Sequence, residues 1–114
     1  MSDESIVQQK LISIAMRILD LCTPLSDMVL RKYLEDRLIQ NSTDSVLDYA
    51  RMQFNTCRLN MNDDTFSIIY KLRDTIVLLE LLHKSELVSE EEIVPIVIEC
   101  SQLLDMLQEA HIIN

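Results

Sequence analysis

The side chains best suited to chemistry in this chain are His83, His111, Glu80 and three cysteines, Cys22, Cys57 and Cys100. A metal site needs ligands that converge at a fixed spacing. The chain has no HxxxH, and Glu80 with His83 is one half of the paired Glu-x-x-His arrangement of di-iron bundles. The cysteines are odd in number, widely spaced and without a CxxC, and the sequence shows no evident activator that would make any of them a thiolate. Each histidine falls near the end of a helical pattern, where the helix dipole favours a partly charged imidazole. Glu80 sits among leucines, so it reads as a buried carboxylate or as a partner for Arg73, Lys84 or a neighbouring helix; it could also face a pore or a subunit contact. With no nucleophile beside a base, no metal-ligand cluster and no glycine-rich phosphate loop, no catalytic, cofactor-binding or metal-binding residue is assigned.

Composition narrows the elements that could position any site. None of the 114 residues is glycine, which removes the usual means of building tight hairpins, bulges and phosphate cradles. The chain is 48% apolar but only 4% aromatic, so its core must be aliphatic. A quarter of its residues are charged, which is not the composition of a disordered chain. Its formal net charge of −9 repels phosphate and anionic membranes. That charge is uneven: residues 1–58 carry a net −1 and residues 59–114 a net −8. An acidic second half reads first as a solvated face and second as a docking face for a basic partner. No apolar run approaches the ~18 residues needed to span a bilayer, and the start, Met1-Ser2-Asp3-Glu4, is unlike a basic signal peptide. Unpaired cysteines suit a reducing cytosol, so a cytoplasmic, soluble protein with no membrane contact is expected.

Four segments show helical spacing and predict helices over approximately 5–22, 27–53, 64–84 and 90–111. In the first, Val7, Leu11, Ile14, Ala15, Ile18 and Cys22 form a stripe that Ile12, Met16 and Leu19 widen, as in a helix with more than one neighbour. Thr23-Pro24 ends it, and Ser26 or Asp27 can cap the next. The second carries Leu30, Leu34, Leu38, then Val46 or Leu47, and Tyr49. Its middle, Asn41-Ser42-Thr43-Asp44-Ser45, competes for backbone hydrogen bonds, so a kink, a restart, or a strip lying against solvent or a partner is expected there. Asp63 or Asp64 opens the third, whose run Ile76 to Leu82 is apolar nearly all round. In the fourth, Ser89-Glu90-Glu91-Glu92 fits a capping box, with Val88 and Ile93 as its hydrophobic staple, and Pro95 predicts a local bend. The seam Ile93, Val97, Cys100, Leu104, Leu107, His111 completes an all-α, antiparallel up-down-up-down four-helix bundle, a single domain over 1–114.

Arg73-Asp74-Thr75, Leu78-Leu79-Glu80-Leu81-Leu82-His83 and Leu87-Val88-Ser89-Glu90-Glu91-Glu92 resemble the 23S ribosomal RNA intervening-sequence protein family. Glu99-Cys100, Leu103-Leu104 and Ile6 to Leu21 continue the likeness. The resemblance implies a four-helix bundle and, as in several members, a ring-like homopentamer. It is more distantly similar to the accessory variability determinant of diversity-generating retroelements, which implies contact with a reverse transcriptase and nucleic acid. The chain departs from the family in the centre of helix two, where Asn41 to Arg51 lacks the usual glycines.

The expected function is therefore a non-enzymatic helical-bundle interaction or scaffold protein that associates with itself, with apolar surface on helices one and three as the subunit contact. The alternative is a nucleic-acid or reverse-transcriptase accessory factor. Arg31, Lys32, Arg37, Arg51 and Arg58 make helix two the most basic region, but Asp27, Glu35, Asp36, Asp44 and Asp48 are interspersed and favour local pairing. No aromatics are arranged as stacking platforms, and the net charge disfavours nucleic acid. Arg31, Lys32, Arg37 and Glu80 are the residues assigned to an interaction surface.

Overall fold

A computed structural model describes residues 3–22, 29–54 and 61–113. Four helices run through them: α1 (Asp3–Leu21), α2 (Val29–Phe54), α3 (Met61–Lys84) and α4 (Glu90–Ile113). The molecule measures 44 × 22 × 21 Å. At ~1.5 Å rise per residue, the 26-residue α2 spans about 39 Å, so the helices lie along the long axis. The square cross-section matches two rows of two helices spaced ~8–10 Å apart. Each helix packs on its sequence neighbours and α4 closes the ring on α1, while the backbones of the diagonal pairs α1/α3 and α2/α4 stay more than 8 Å apart among the described residues. This is the antiparallel up-down-up-down bundle.

The core is aliphatic because the helical stripes converge. Val7, Leu11, Ile14 and Ile18 of α1 meet Leu34 and Leu38 of α2, Ile68, Leu72, Leu79 and Leu82 of α3, and Ile93, Ile96, Cys100 and Leu103 of α4. The side chains that widen the α1 stripe are not inside it: Ile12, Met16 and Leu19 are exposed. On α2, Val46 is half-buried while Leu47 is exposed.

Two helix boundaries carry well-formed caps. Ser89 and Glu92 exchange bonds as a capping box: the Glu92 N–H donates to Ser89 Oγ at 3.2 Å, and the Ser89 N–H donates to Glu92 Oε1 at 3.1 Å. Val88 and Ile93, both buried, form the staple beside it. At the other side of that turn, the Leu87 N–H donates to the Leu82 carbonyl at 3.0 Å and the Glu86 N–H to the His83 carbonyl at 2.9 Å. This pair is a Schellman motif, and Glu86 occupies its left-handed position with φ 62°. α4 continues through Pro95 as one helix, with Pro95 and Glu91 both exposed. The carbonyl that the proline cannot satisfy is therefore that of a solvent-facing residue.

Three expectations change. α3 begins at Met61, so Asp63 and Asp64 lie in its first turn and do not precede it. α2 neither kinks into two helices nor turns its polar strip outward: Ser42 and Ser45 are 3% and 1% exposed. Their hydroxyls donate to the carbonyls one turn back, Ser42 to Leu38 at 2.9 Å and Ser45 to Asn41 at 2.8 Å, which satisfies them without breaking the helix. Glu80 is not a buried carboxylate; it is exposed and joins no ion pair among the described residues. The proposed stop at Pro24, the caps Ser26 and Asp27, and Cys57 and Arg58 lie outside the described residues, as do the side chains of Leu30 and His111.

Candidate functional site

Among the described residues, four of the five buried polar or charged side chains, Glu35, Ser42, Ser45 and Asp48, belong to α2; the fifth is Thr75 of α3. The polar half of the core is thus one seam between α2 and its neighbours. Asp48 is its most constrained member. Arg51, three residues along α2, donates to Oδ1, Lys71 of α3 donates to Oδ2, and Ser67 adds its hydroxyl to Oδ2 at 3.3 Å. Burial works to raise the proton affinity of this carboxyl, but the bonds and charges of Lys71 and Arg51 outweigh it and hold the group below the usual carboxylate range. A carboxylate so occupied is a poor general base for Ser67. The cluster's evident work is to pair α2 with α3.

At the opposite end of α2, Arg31 donates to Glu35 at 3.1 Å and to the Leu87 carbonyl at 3.2 Å. The first turn of α2 is thereby tied to the turn between α3 and α4. Cys22 lies against the same Glu35; burial first, and then the Glu35 charge, push its thiol up to about 12. Cys100, in the core, is pushed up to about 12 by burial and by Glu99. Neither is a thiolate near neutral pH, so neither is poised for nucleophilic attack. A third cluster spans α1 and α4, where Ser13 and Arg17 both bond Glu99, at 3.0 and 3.1 Å. His83 is half-buried with Nδ1 at 3.4 Å from the Val88 carbonyl. Among the described residues no three His, Cys, Asp or Glu side chains converge as metal ligands would.

Of the residues assigned to an interaction surface, Arg31 is consumed by the Glu35 and Leu87 bonds. Lys32 and Arg37 are exposed, and Arg37 donates to the Tyr33 hydroxyl at 3.2 Å. Glu80 is exposed on α3, the helix that packs beside α2.

Sequence reasoning missed an aromatic shelf. Phe66 and Tyr70, one turn apart on α3, stack with ring centroids 6.4 Å apart and planes inclined by 25°. Beside them lies an open depression of about 490 Å³ lined by Phe66, Ser67, Tyr70 and Lys71. The i, i+4 spacing of two aromatics was the available signal. Exposed apolar residues also form longer stripes. Phe66, Tyr70, Val77 and Leu81 follow the outer side of α3, with Tyr70 60% exposed; Ile12, Met16 and Leu19 follow one side of α1, with Met16 55% exposed. No helix among the described residues is long and apolar enough to cross a membrane.

No family model matches this chain, and no curated protein does. Among solved structures, the chain is similar to a protein of unknown function from the S23 ribosomal protein family of Bacteroides thetaiotaomicron. The two share 17% identity with a TM-score of 0.84, over 96% of this chain and 97% of the other. At that identity, the match establishes a common four-helix fold.

Proposed function

We propose that this protein is a non-enzymatic helical-bundle interaction protein that works as a homo-oligomer. The observation that carries this reading is the pair of exposed apolar stripes, Ile12, Met16 and Leu19 on α1 and Phe66, Tyr70, Val77 and Leu81 on α3. Scattered exposed hydrophobes are ordinary, but a run along one helix side marks an association surface. α1 and α3 are diagonal neighbours in the bundle, so the two stripes face different ways. A contact between unlike surfaces of identical chains is head-to-tail, which builds rings when the rotation closes. The resemblance to the 23S ribosomal RNA intervening-sequence family, with its ring-like homopentamers, supports a closed assembly of that kind.

Size-exclusion chromatography with light scattering at micromolar concentration tests the proposal. A mass that is a multiple of 13.3 kDa is expected, and a strictly monomeric particle would overturn it. The second reading, a nucleic-acid accessory factor, draws its support from the stacked Phe66–Tyr70 shelf, since aromatic faces suit single-stranded bases. It requires RNA or DNA binding that weakens steeply with salt; no binding at low salt would remove it.

A further inference from the structure

The apolar stripes of α1 and α3 stand at one level of the bundle. A helix climbs about 1.5 Å per residue, so each contact between two helices fixes their relative height. On the α2 side, Cys22 of α1 lies against Glu35, and Asp48 bonds Ser67 and Lys71 of α3. Together these contacts set an α1 residue level with the α3 residue about 60 positions later. The route through α4 agrees to within a turn: Ser13 and Arg17 bond Glu99, and His83 meets the Val88 carbonyl across the α3–α4 turn. α1 and α3 run in the same direction in an up-down-up-down bundle. Ile12, Met16 and Leu19 therefore stand level with the stretch of α3 from Tyr70 through Val77 to Leu81, all of them exposed. Phe66 stands nearer the start of α3, level with the first turns of α1.

Charge separates these faces from the rest of the molecule. Two copies of a chain carrying −9 repel each other, and like charges set face to face weaken a contact. Beside the α1 stripe, between residues 9 and 20, the exposed charges are Arg17 and Asp20. Along α3 from Tyr70 to Lys84 they are Arg73, Asp74, Glu80 and Lys84. Both sets cancel. α4, by contrast, contains six acidic residues and neither Lys nor Arg. A basic foreign protein would be drawn to α4, whereas a second copy of this chain meets no net charge at α1 and α3.

From equal level and balanced charge we infer that α1 of one copy packs alongside α3 of a second copy, parallel to it and without a shift along the helix axis. Met16 meets Val77 at the centre of this contact, Ile12 lies toward Tyr70, and Leu19 lies toward Leu81. Phe66 stays outside it. Copies so joined are related by rotation about an axis parallel to the helices, with no translation along it, as a closed ring requires. This inference rests on the self-association proposed above and gives it a register.

Two single variants of the full chain, Met16→Asp and Val77→Asp, test the pairing by light scattering. Both positions are exposed, and circular dichroism checks that each variant folds. Each alone is expected to run as a monomer, or to associate at least tenfold more weakly than the wild type. In an equimolar mixture, the intact α1 stripe of Val77→Asp should dock on the intact α3 stripe of Met16→Asp. Nothing further can add, so the mixture should show twice 13.3 kDa and no larger species. Cysteine cross-linking tests the register. Met16→Cys with Val77→Cys should give, on oxidation, a ladder of disulfide-linked multimers that the wild type does not give. Met16→Cys with Phe66→Cys, displaced by about 16 Å along the helix, should give none. A monomeric wild type overturns both the self-association and this pairing. If the wild type assembles, three results overturn the pairing alone: single variants that assemble as well as it does, a single variant that dimerises by itself, or a mixture that stays monomeric. A ladder from the Phe66 pair in place of the Val77 pair overturns the register.

Discussion

Asp48 on α2 and Lys71 on α3 form an ion pair across two helices, and Arg51 occupies the remaining carboxylate oxygen of Asp48 from within α2. One buried carboxylate thus sets the register of α2 against α3. The hydroxyls of Ser42 and Ser45 bond their own helix and cannot do this.

Removing one partner should therefore cost more than removing both. Lys71→Met leaves Asp48 buried with Arg51 and Ser67, and is expected to cost about 2–3 kcal/mol. That is somewhat below the ~3–5 kcal/mol for a fully desolvated pair, because the Lys71 side chain is partly exposed. Replacing both, Asp48→Leu with Lys71→Leu, should recover most of that loss. Urea titration of these chains together with the single variants Asp48→Leu and Lys71→Leu decides it: a double variant as weak as the sum of those two single changes would show that the pair is not the relevant unit.

Acid should act through the same carboxyl. Its folded-state proton affinity lies below the usual value of 3.8, so protonation favours the unfolded chain. The contribution is fully present above the unfolded pKa and is lost as the pH falls through the lower, folded one. The stability gap between the wild type and Asp48→Asn should be constant from pH 7 to 5 and shrink below about pH 4. Urea midpoints at pH 7, 5, 4 and 3 measure it. A gap that stays constant down to pH 3 would place the acid sensitivity elsewhere.

The α2 seam makes a different prediction for its serines. Ser45 buries a hydroxyl whose only bond among the described residues is to the Asn41 carbonyl, an acceptor belonging to its own helix. Ser45→Ala removes that hydroxyl with its bond and adds helix propensity worth about 0.5 kcal/mol. The variant should be as stable as the wild type or up to about 1 kcal/mol more stable. A loss above about 1 kcal/mol would mean that the hydroxyl serves a partner on another helix.

These residues show where sequence reading succeeds and where it stops. The stripes of α1 and α4 are legible because Leu, Ile and Val recur at helical spacing and carry no competing polar signal. The Ser89–Glu92 cap is legible because both partners lie within four residues. On α2 the same spacing holds for Leu34, Leu38, Ser42, Ser45 and Tyr49, but serines in the core phase look like an exposed strip to any rule based on hydropathy. Only the satisfied hydroxyls explain their burial. The Arg31–Glu35 and Arg51–Asp48 pairs follow from local spacing, whereas Lys71 reaches Asp48 only through the packing of α3. Glu80 fails for the opposite reason: its leucine neighbours in sequence point elsewhere on the helix, and the carboxylate itself faces out.

The absence of glycine leaves its own mark at Glu86. The turn between α3 and α4 needs a residue in the left-handed region, where a Cβ crowds the following carbonyl at a cost of roughly 1–2 kcal/mol. Glycine takes this conformation without that clash, although it loses more freedom on folding, by about 0.5–1 kcal/mol. Glu86 is exposed and its side chain makes no bond among the described residues, so little else is lost. Glu86→Gly is therefore expected to stabilise the chain by about 0.5–1 kcal/mol, raising Tm by about 2–5 °C for a domain of this size. Glu86→Ala retains the Cβ and should leave Tm nearly unchanged. Thermal denaturation of the pair separates backbone strain from lost charge: equal shifts in both would show that the carboxylate, and not the left-handed backbone, is what the turn tolerates poorly.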